Sequence, residues 1–295
     1  MLGDKGGTVP ALSPADSGWS ASGPTAFKSE GDGTAMTWLR YRHLLRNHQG
    51  KPQLITDFMG YNTWQGGLHQ NHPGENWASD LMVECEVKVE KPEGTFVLEL
   101  SRGTHRYQAS FDLKTGVCTL FDVEGDKSKE MGTANTTLKS SGSHAVRFAN
   151  VDDRLVVWVD ERLPFGDGLT YGPVRNLVPT KENDLDRPVS VGSAGAKVTV
   201  SQLRLFRDTY YTTARGDQPA SADVSEFRAD DPATFAAWAQ APVSTYYVQP
   251  GHYLCLGDNS PESSDGRTWG QVPQRLLLGR ALLVYYPFSR AGRIR

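Results

Sequence analysis

Residues 80–90, DLMVECEVKVE, alternate strictly: Leu81, Val83, Cys85, Val87 and Val89 fall on one side of a two-residue period, and Glu84, Glu86 and Lys88 on the other. Only an extended strand puts such residues on opposite faces, and a single greasy face demands a second layer to cover it. Similar segments follow at TFVLELSRG, RYQASFDLKTG, VCTLFDVEG, HAVRFANVDD, RLVVWVDERL, RPVSVGS and AKVTVSQLRLFRD. Turns such as Lys114-Thr115-Gly116 and Val151-Asp152-Asp153 separate them at hairpin spacing. Many short strands with few helices predict a mainly β fold, an antiparallel β-sandwich of jelly-roll type, over residues 25–207.

At 295 residues the chain has room for about two domains, and a net charge of -3 with basic residues spread along it excludes a polyanion-binding surface. No nucleic-acid partner is expected. The densest apolar run, ALLVYYPF, is far too short to span a bilayer. Residues 1–24, which include MLGDKGGTVPALSPADSG, lack the basic and apolar regions of a secretory signal and predict a flexible leader. Cys85, Cys118 and Cys255 are widely separated in apolar surroundings, a pattern of buried reduced thiols.

The hairpin VRFANVDDRLVVWVDERL followed by VSVGSAGAKVTVSQLRLFRD resembles the concanavalin-like or laminin-G-like sandwich. That resemblance implies the fold alone, since such sandwiches serve sugar binding, hydrolysis and scaffolding. Residues 208–242 change in composition and predict a connector with one short helix: Asp231 as its cap, Pro232 at its first position, Phe235 and Trp238 on one face, Pro242 at its end. Strands resume at STYYVQPGHYLCLGDN and RLLLGRALLVYYPF, so 243–295 reads as a C-terminal segment.

Between those strands lies the most specific motif of the chain. Gly257-Asp258-Asn259 is followed by Ser263-Ser264-Asp265-Gly266-Arg267 and then by Trp269-Gly270-Gln271-Val272-Pro273. The order and spacing resemble the C-terminal signature of type I signal peptidases, whose fold would then claim 243–295 as a small β segment. That family removes leader peptides from secreted proteins at the outer face of the membrane, with a serine nucleophile and a lysine general base. A lysine base must be largely unprotonated near neutral pH, which requires desolvation and an orienting hydrogen bond. By the resemblance, Ser263 supplies the orienting hydroxyl, and Asp265 and Arg267 pair from one side of an extended segment to brace the site. Gly257 suits a close backbone approach, Asp258 and Asn259 a self-bonded turn, and Trp269 an apolar lid.

The family's nucleophile and base segments have no counterpart here, because the sequence contains neither a Ser-Met nor a Lys-Arg pair. Some members carry a large sandwich insertion ahead of the C-terminal motif, and WLRYRHLLRNHQGKPQLITDFMGYNTW resembles the start of that insertion in planctomycete-like signal peptidases. The resemblance implies the C-terminal portion of such an enzyme, or a degenerate relative. Either is expected to be inactive alone, with signal peptides of preproteins as partners and membrane attachment only through an anchor this chain does not carry. No cofactor and no metal is expected: His69, His72 and Glu75 read as a solvated turn, and DNSPESSDG lacks the Gly and Glu of a calcium loop. The alternative is a non-enzymatic sandwich that binds carbohydrate or protein, with Tyr61, Trp64 and Trp77 as stacking candidates and Trp158 as a core or cross-strand residue.

Overall fold

The computed structural model describes residues 12–14, 18–31, 33–45, 50–57, 76–174, 177–209, 211, 228–240, 245–257, 263–286, 288 and 291–293. Described residues up to 209 and those of 228–240 belong to one compact unit, and residue 211 with those from 245 onward to a second.

The first unit contains β1 (Leu12–Pro14), β2 (Trp19–Ala21), β3 (Phe27–Glu30), β4 (Thr37–Tyr41), β5 (Leu81–Val89), β6 (Thr95–Arg102), β7 (His105–Asp112), β8 (Val117–Glu124), β9 (Lys127–Asn135), β10 (Gly142–Val151), β11 (Arg154–Val159), β12 (Leu169–Thr170), β13 (Val189–Ala194) and β14 (Lys197–Arg207). Among the described residues they form two antiparallel seven-stranded sheets, ordered β1-β4-β13-β6-β7-β8-β9 and β12-β11-β10-β5-β14-β3-β2. The fold is the predicted mainly β, antiparallel sandwich. Its inner faces share one apolar core in which Leu39, Phe96, Phe111, Val146 and Phe148 are fully enclosed.

The alternation of 80–90 is realised in β5, which lies between β10 and β14 and turns Leu81, Val83, Cys85, Val87 and Val89 inward. On its outer side Glu84 pairs with Arg147 at 2.6 Å and Arg204 at 3.1 Å. Burial pushes the Cys85 thiol up to about 12 and raises that of Cys118 as well. The expected turns form: Asp152 and Asp153 both adopt positive φ between β10 and β11, and Asp112 Oδ1 accepts the Lys114 and Thr115 amides at 2.8 and 3.1 Å.

Two readings of this unit change. Residues 12–14 and 19–21, inside the expected leader, are the strands β1 and β2, because β4 and β3 offer them free edges and Trp19 is buried at 5% exposure. Strand β9 was not evident in the sequence: it is an edge strand with most of its side chains in solvent. Residues Pro232–Gln240 do form a helix, of 3₁₀ type, with Asp231 Oδ1 accepting the Ala233 amide at 3.1 Å. Phe235 packs there on Leu54 and Leu185, while the Trp238 side chain and Pro242 lie outside the described residues.

In the second unit, β15 (His252–Tyr253) pairs with β16 (Val272–Pro273), and β17 (Leu283–Val284) with β18 (Gly292–Arg293). The two long strands expected over 244–259 and 275–288 are thus reduced to two-residue ladders. A strand forms only where a second backbone meets its amides, and most of these apolar residues find no cover. Leu278 is 105% exposed, Tyr285 78% and Phe288 85%. Among the described residues no helix is long and apolar enough to cross a membrane.

Candidate functional site

The C-terminal motif folds around one carboxylate. Asp265 has extended backbone angles and caps the short helix α1 (Gly266–Trp269), its Oδ1 accepting the Arg267 amide at 3.1 Å. The same oxygen accepts Arg267 Nε at 2.8 Å, while Oδ2 accepts Arg267 Nη2 at 2.8 Å and the Gly257 amide at 2.9 Å. The side chains are 5% and 7% exposed, so the fork-to-fork pair is closed off from water. Arg267 and Asp265 do pair, through a helix cap rather than from one side of an extended segment. A cap places the residue two further on within reach of the capping carboxylate by its amide and its side chain together.

This pairing fixes the electrostatics. The Arg267 hydrogen bond foremost, with the Gly257 and Arg267 amides, outweighs burial and holds the Asp265 carboxyl down at about 2. With both oxygens engaged and the group ionised throughout the neutral range, Asp265 is unsuited to proton transfer and serves to position the chain around it.

Gly257 lies against Ser263: a methyl group on Gly257 would fall 2.1 Å from Ser263 Oγ and 2.6 Å from its Cβ. Only glycine leaves room for the hydroxyl at that point of the backbone. Gly266 is held likewise, its amide donating to Cys255 O at 2.7 Å and its Cα facing the Cys255 carbonyl too closely for a side chain. Tyr211 completes the arrangement, donating its hydroxyl to Gly257 O at 3.1 Å while the Arg267 guanidinium lies over its ring at 5.1 Å. Tyr211 stands 46 residues away in sequence and carries no motif, so only the fold reveals it.

Trp269 is 52% exposed, with its indole N–H on Ser264 O at 3.1 Å, and so forms an open flank instead of a lid. Gln271 ties the turn to the segment just ahead of β15 by accepting the Gln249 amide at 2.9 Å. Gly257, Ser263, Asp265 and Arg267 are therefore brought together; Asp258 and Asn259 lie outside the described residues. So do His69, His72, Glu75, Tyr61 and Trp64. Trp77 packs against the Leu54, Leu185 and Phe235 cluster, and Trp158 stands opposite Arg147 on the outer face of its sheet. Asp80, Asp152 and Asp208 bring carboxylates within 4.8 Å of one another, but Asp80 is already committed to the Asp152 amide at 2.8 Å and to Arg102 at 3.7 Å.

The family described as signal peptidase, peptidase S26, matches residues 190–286. A probable signal peptidase I-2 of Synechocystis sp. is 43% identical over 56 residues, 19% of this chain and 24% of that protein. The mitochondrial inner membrane protease subunit 1 of Mus musculus is 40% identical over 52 residues, 18% of this chain and 31% of that one. Signal peptidase I of Haemophilus influenzae is 29% identical over 85 residues, 29% of this chain and 24% of the relative. The chain thus spans about a quarter of the length of the curated relatives it matches. Among solved structures, a carbohydrate-binding module from Bacillus subtilis covers 66% of this chain and 94% of its own, at 12% identity and a TM-score of 0.42. The Asp265 turn lies within the matched segment, and that segment is signal peptidase-like at the level of family.

Proposed function

We propose that residues 245–286 form the supporting part of a signal peptidase catalytic centre, in which Ser263 orients a lysine base and the Asp265–Arg267 pair holds Ser263 in place. The observation that carries this reading is the convergence of Gly257, Ser263, Asp265 and Arg267 in one turn inside the segment that matches the family. Ser263 Oγ sits over a position that only glycine permits, and the groups beneath it are fixed by four hydrogen bonds to Asp265. A hydroxyl seated against a fixed glycine is in place to hydrogen-bond a neutral amine.

The substrates on this reading are the signal peptides of preproteins, cleaved at the outer face of the membrane. The chain itself is expected to turn over no peptide, because neither a Ser-Met nor a Lys-Arg pair stands in its sequence and supporting groups without nucleophile and base leave only residual catalysis.

Two measurements test it. Purified chain incubated with a fluorogenic leader-peptide substrate should show no cleavage above background. Residues 245–286 should also replace the matching segment of the Synechocystis relative with cleavage retained, and Asp265→Ala in that chimera should abolish it. Cleavage by the chain alone, or an inactive chimera that is folded and membrane-inserted like its active parent, sinks the reading.

A further inference from the structure

On the outer face of the first sheet, Arg40 of β4, Ser190 of β13, Glu99 of β6 and Gln108 of β7 stand directly opposite one another in register. Residues in such a row project to the same face. Their chain neighbours Leu39, Val191 and Leu98 point into the core, so the row faces away from it. Arg106, two residues along β7 from Gln108, shares the face, and Arg187 enters from the segment just before β13.

Three guanidiniums converge here. Burial, and then the charges of Arg106 and Arg40, lower the pKa of Arg187, which is engaged with Glu182 at 3.1 Å. Arg40 and Arg106 are half-buried and have no hydrogen-bond or ion-pair partner among the described residues. The counter-charge within the row is Glu99, 3% exposed and held by Gln108 Nε2 at 2.6 Å. Ser190 Oγ, between Arg40 and Glu99, is 1% exposed and lacks any hydrogen-bond partner among the described residues. A half-buried surface with unpaired cations lowers its free energy by taking up an anion that also hydrogen-bonds.

The next row supplies an apolar plate. Trp38 stands opposite Gly192, and a methyl group on Gly192 would fall 2.8 Å from Trp38 Cζ3 and 2.9 Å from Met36 Sδ. The indole therefore lies across β13 in the space a side chain would fill, one row from Arg40 and two rows from Arg106 along the sheet. An aromatic plate, two unpaired guanidiniums and a side-chain amide match a sugar ring that bears a carboxylate: C–H face on indole, carboxylate on guanidinium, a hydroxyl on Gln108.

We propose that this face, centred on Arg40, Arg106 and Trp38, is a binding site for a carboxylated saccharide. It stands on the sandwich alone and does not depend on the peptidase reading.

The test is titration calorimetry of the full chain against trigalacturonate, triglucuronate, trimannuronate and sialyllactose, with the methyl-esterified galacturonate trimer, neutral galactotriose and sodium acetate as comparisons. At least one acid saccharide should bind with micromolar affinity, at least tenfold more tightly than its neutral counterpart and a hundredfold more tightly than acetate. Arg106→Gln should weaken binding about tenfold, and Arg40→Gln and Trp38→Leu should each weaken it in the same sense. Arg106→Lys should retain part of the affinity. Each variant is compared only at an unchanged melting temperature, and Arg106→Gln, at a half-buried site one row away from Gln108, carries the test if Arg40→Gln unfolds. Failure of every acid saccharide to bind, equal binding of the neutral trimer, acetate binding as tightly as the oligomer, or undiminished binding by folded Arg106→Gln would each overturn the proposal.

Discussion

Replacing Asp265 with Asn keeps the size of the side chain and removes one acceptor. In the native turn each oxygen accepts two donors: Oδ1 from the Arg267 amide and Nε, Oδ2 from the Gly257 amide and Arg267 Nη2. Whichever way the Asn amide is turned, its NH₂ faces two donors, and both contacts become repulsive. Hydrogen bonds to charged groups contribute about 1.5–3 kcal/mol each, and an enclosed pair that loses one partner costs about 3–5 kcal/mol. A local loss of about 2–4 kcal/mol is expected. Hydrogen–deuterium exchange resolved over residues 254–270 reads it directly, since about 2 kcal/mol corresponds to roughly a 30-fold fall in protection. The Gly257 and Gly266 amides should exchange faster by that factor or by their whole protection, and amides in the β5 strand should not change. The Asp265 carboxyl is held low, near 2 against an ordinary value of 3.8, so its stabilisation is complete above about pH 4 and is lost as pH falls toward 2. The faster exchange of the variant should shrink over that acid range. Equal protection of Gly257 in both proteins at pH 7 would refute the reasoning, because the carboxylate would then be holding nothing.

Three further outcomes are expected. Gly257→Ala should disrupt the turn by driving a methyl group to within 2.1 Å of Ser263 Oγ, and Ser263→Gly should rescue it where Ser263→Ala should not, since the Ser263 Cβ is itself only 2.6 Å away; exchange of the 254–270 peptide decides it. Burial lifts the Asp184 carboxyl to about 6, above its ordinary 3.8, despite donors from Thr180, Ser101 and Gly103, so folding takes up a proton between about pH 4 and 6 and the favourable contribution is lost as pH rises across that window. The melting temperature of Asp184→Asn, measured relative to the parent at each pH, should therefore rise from pH 4 to pH 6.5. Phe148→Ala, at a fully enclosed site between the sheets, should lower stability by about 3–5 kcal/mol in urea unfolding followed by circular dichroism.

Local chemistry was legible in the sequence, and distant chemistry was not. Strand β5 announces itself because one face is apolar and the other charged, and Asp265 and Arg267 announce their pairing because they stand two positions apart. The helix cap that makes the pairing did not show, since four residues are too few to set a period. Strand β6 reads as a near-continuous buried run because its outer face, Val97, Glu99 and Ser101, is covered as fully as its inner one. There the turn Lys181–Leu185 brings Asp184 Oδ1 to 2.9 Å from Ser101 Oγ, a contact spanning 83 residues. Strand β9 lacks alternation because an edge strand with both faces wet has nothing to alternate for, and its lysines discourage further pairing. The row from Arg40 through Ser190 to Gln108 is assembled from strands at opposite ends of the sandwich domain, and nothing short of the sheet order could have joined them.

The uncovered side chains from Leu276 to Phe288 give the molecule the character of a surfactant at one end of its sequence. Its colloidal behaviour follows from that surface and not from the net charge of -3, which is too small to keep molecules apart. Fluorescent apolar dyes should bind the native protein without any unfolding, light scattering should rise with concentration and more steeply in ammonium sulfate, and a non-ionic detergent below its micellar threshold should suppress both. Leu278→Lys with Phe288→Lys, at two of the most exposed sites, should do the same without detergent.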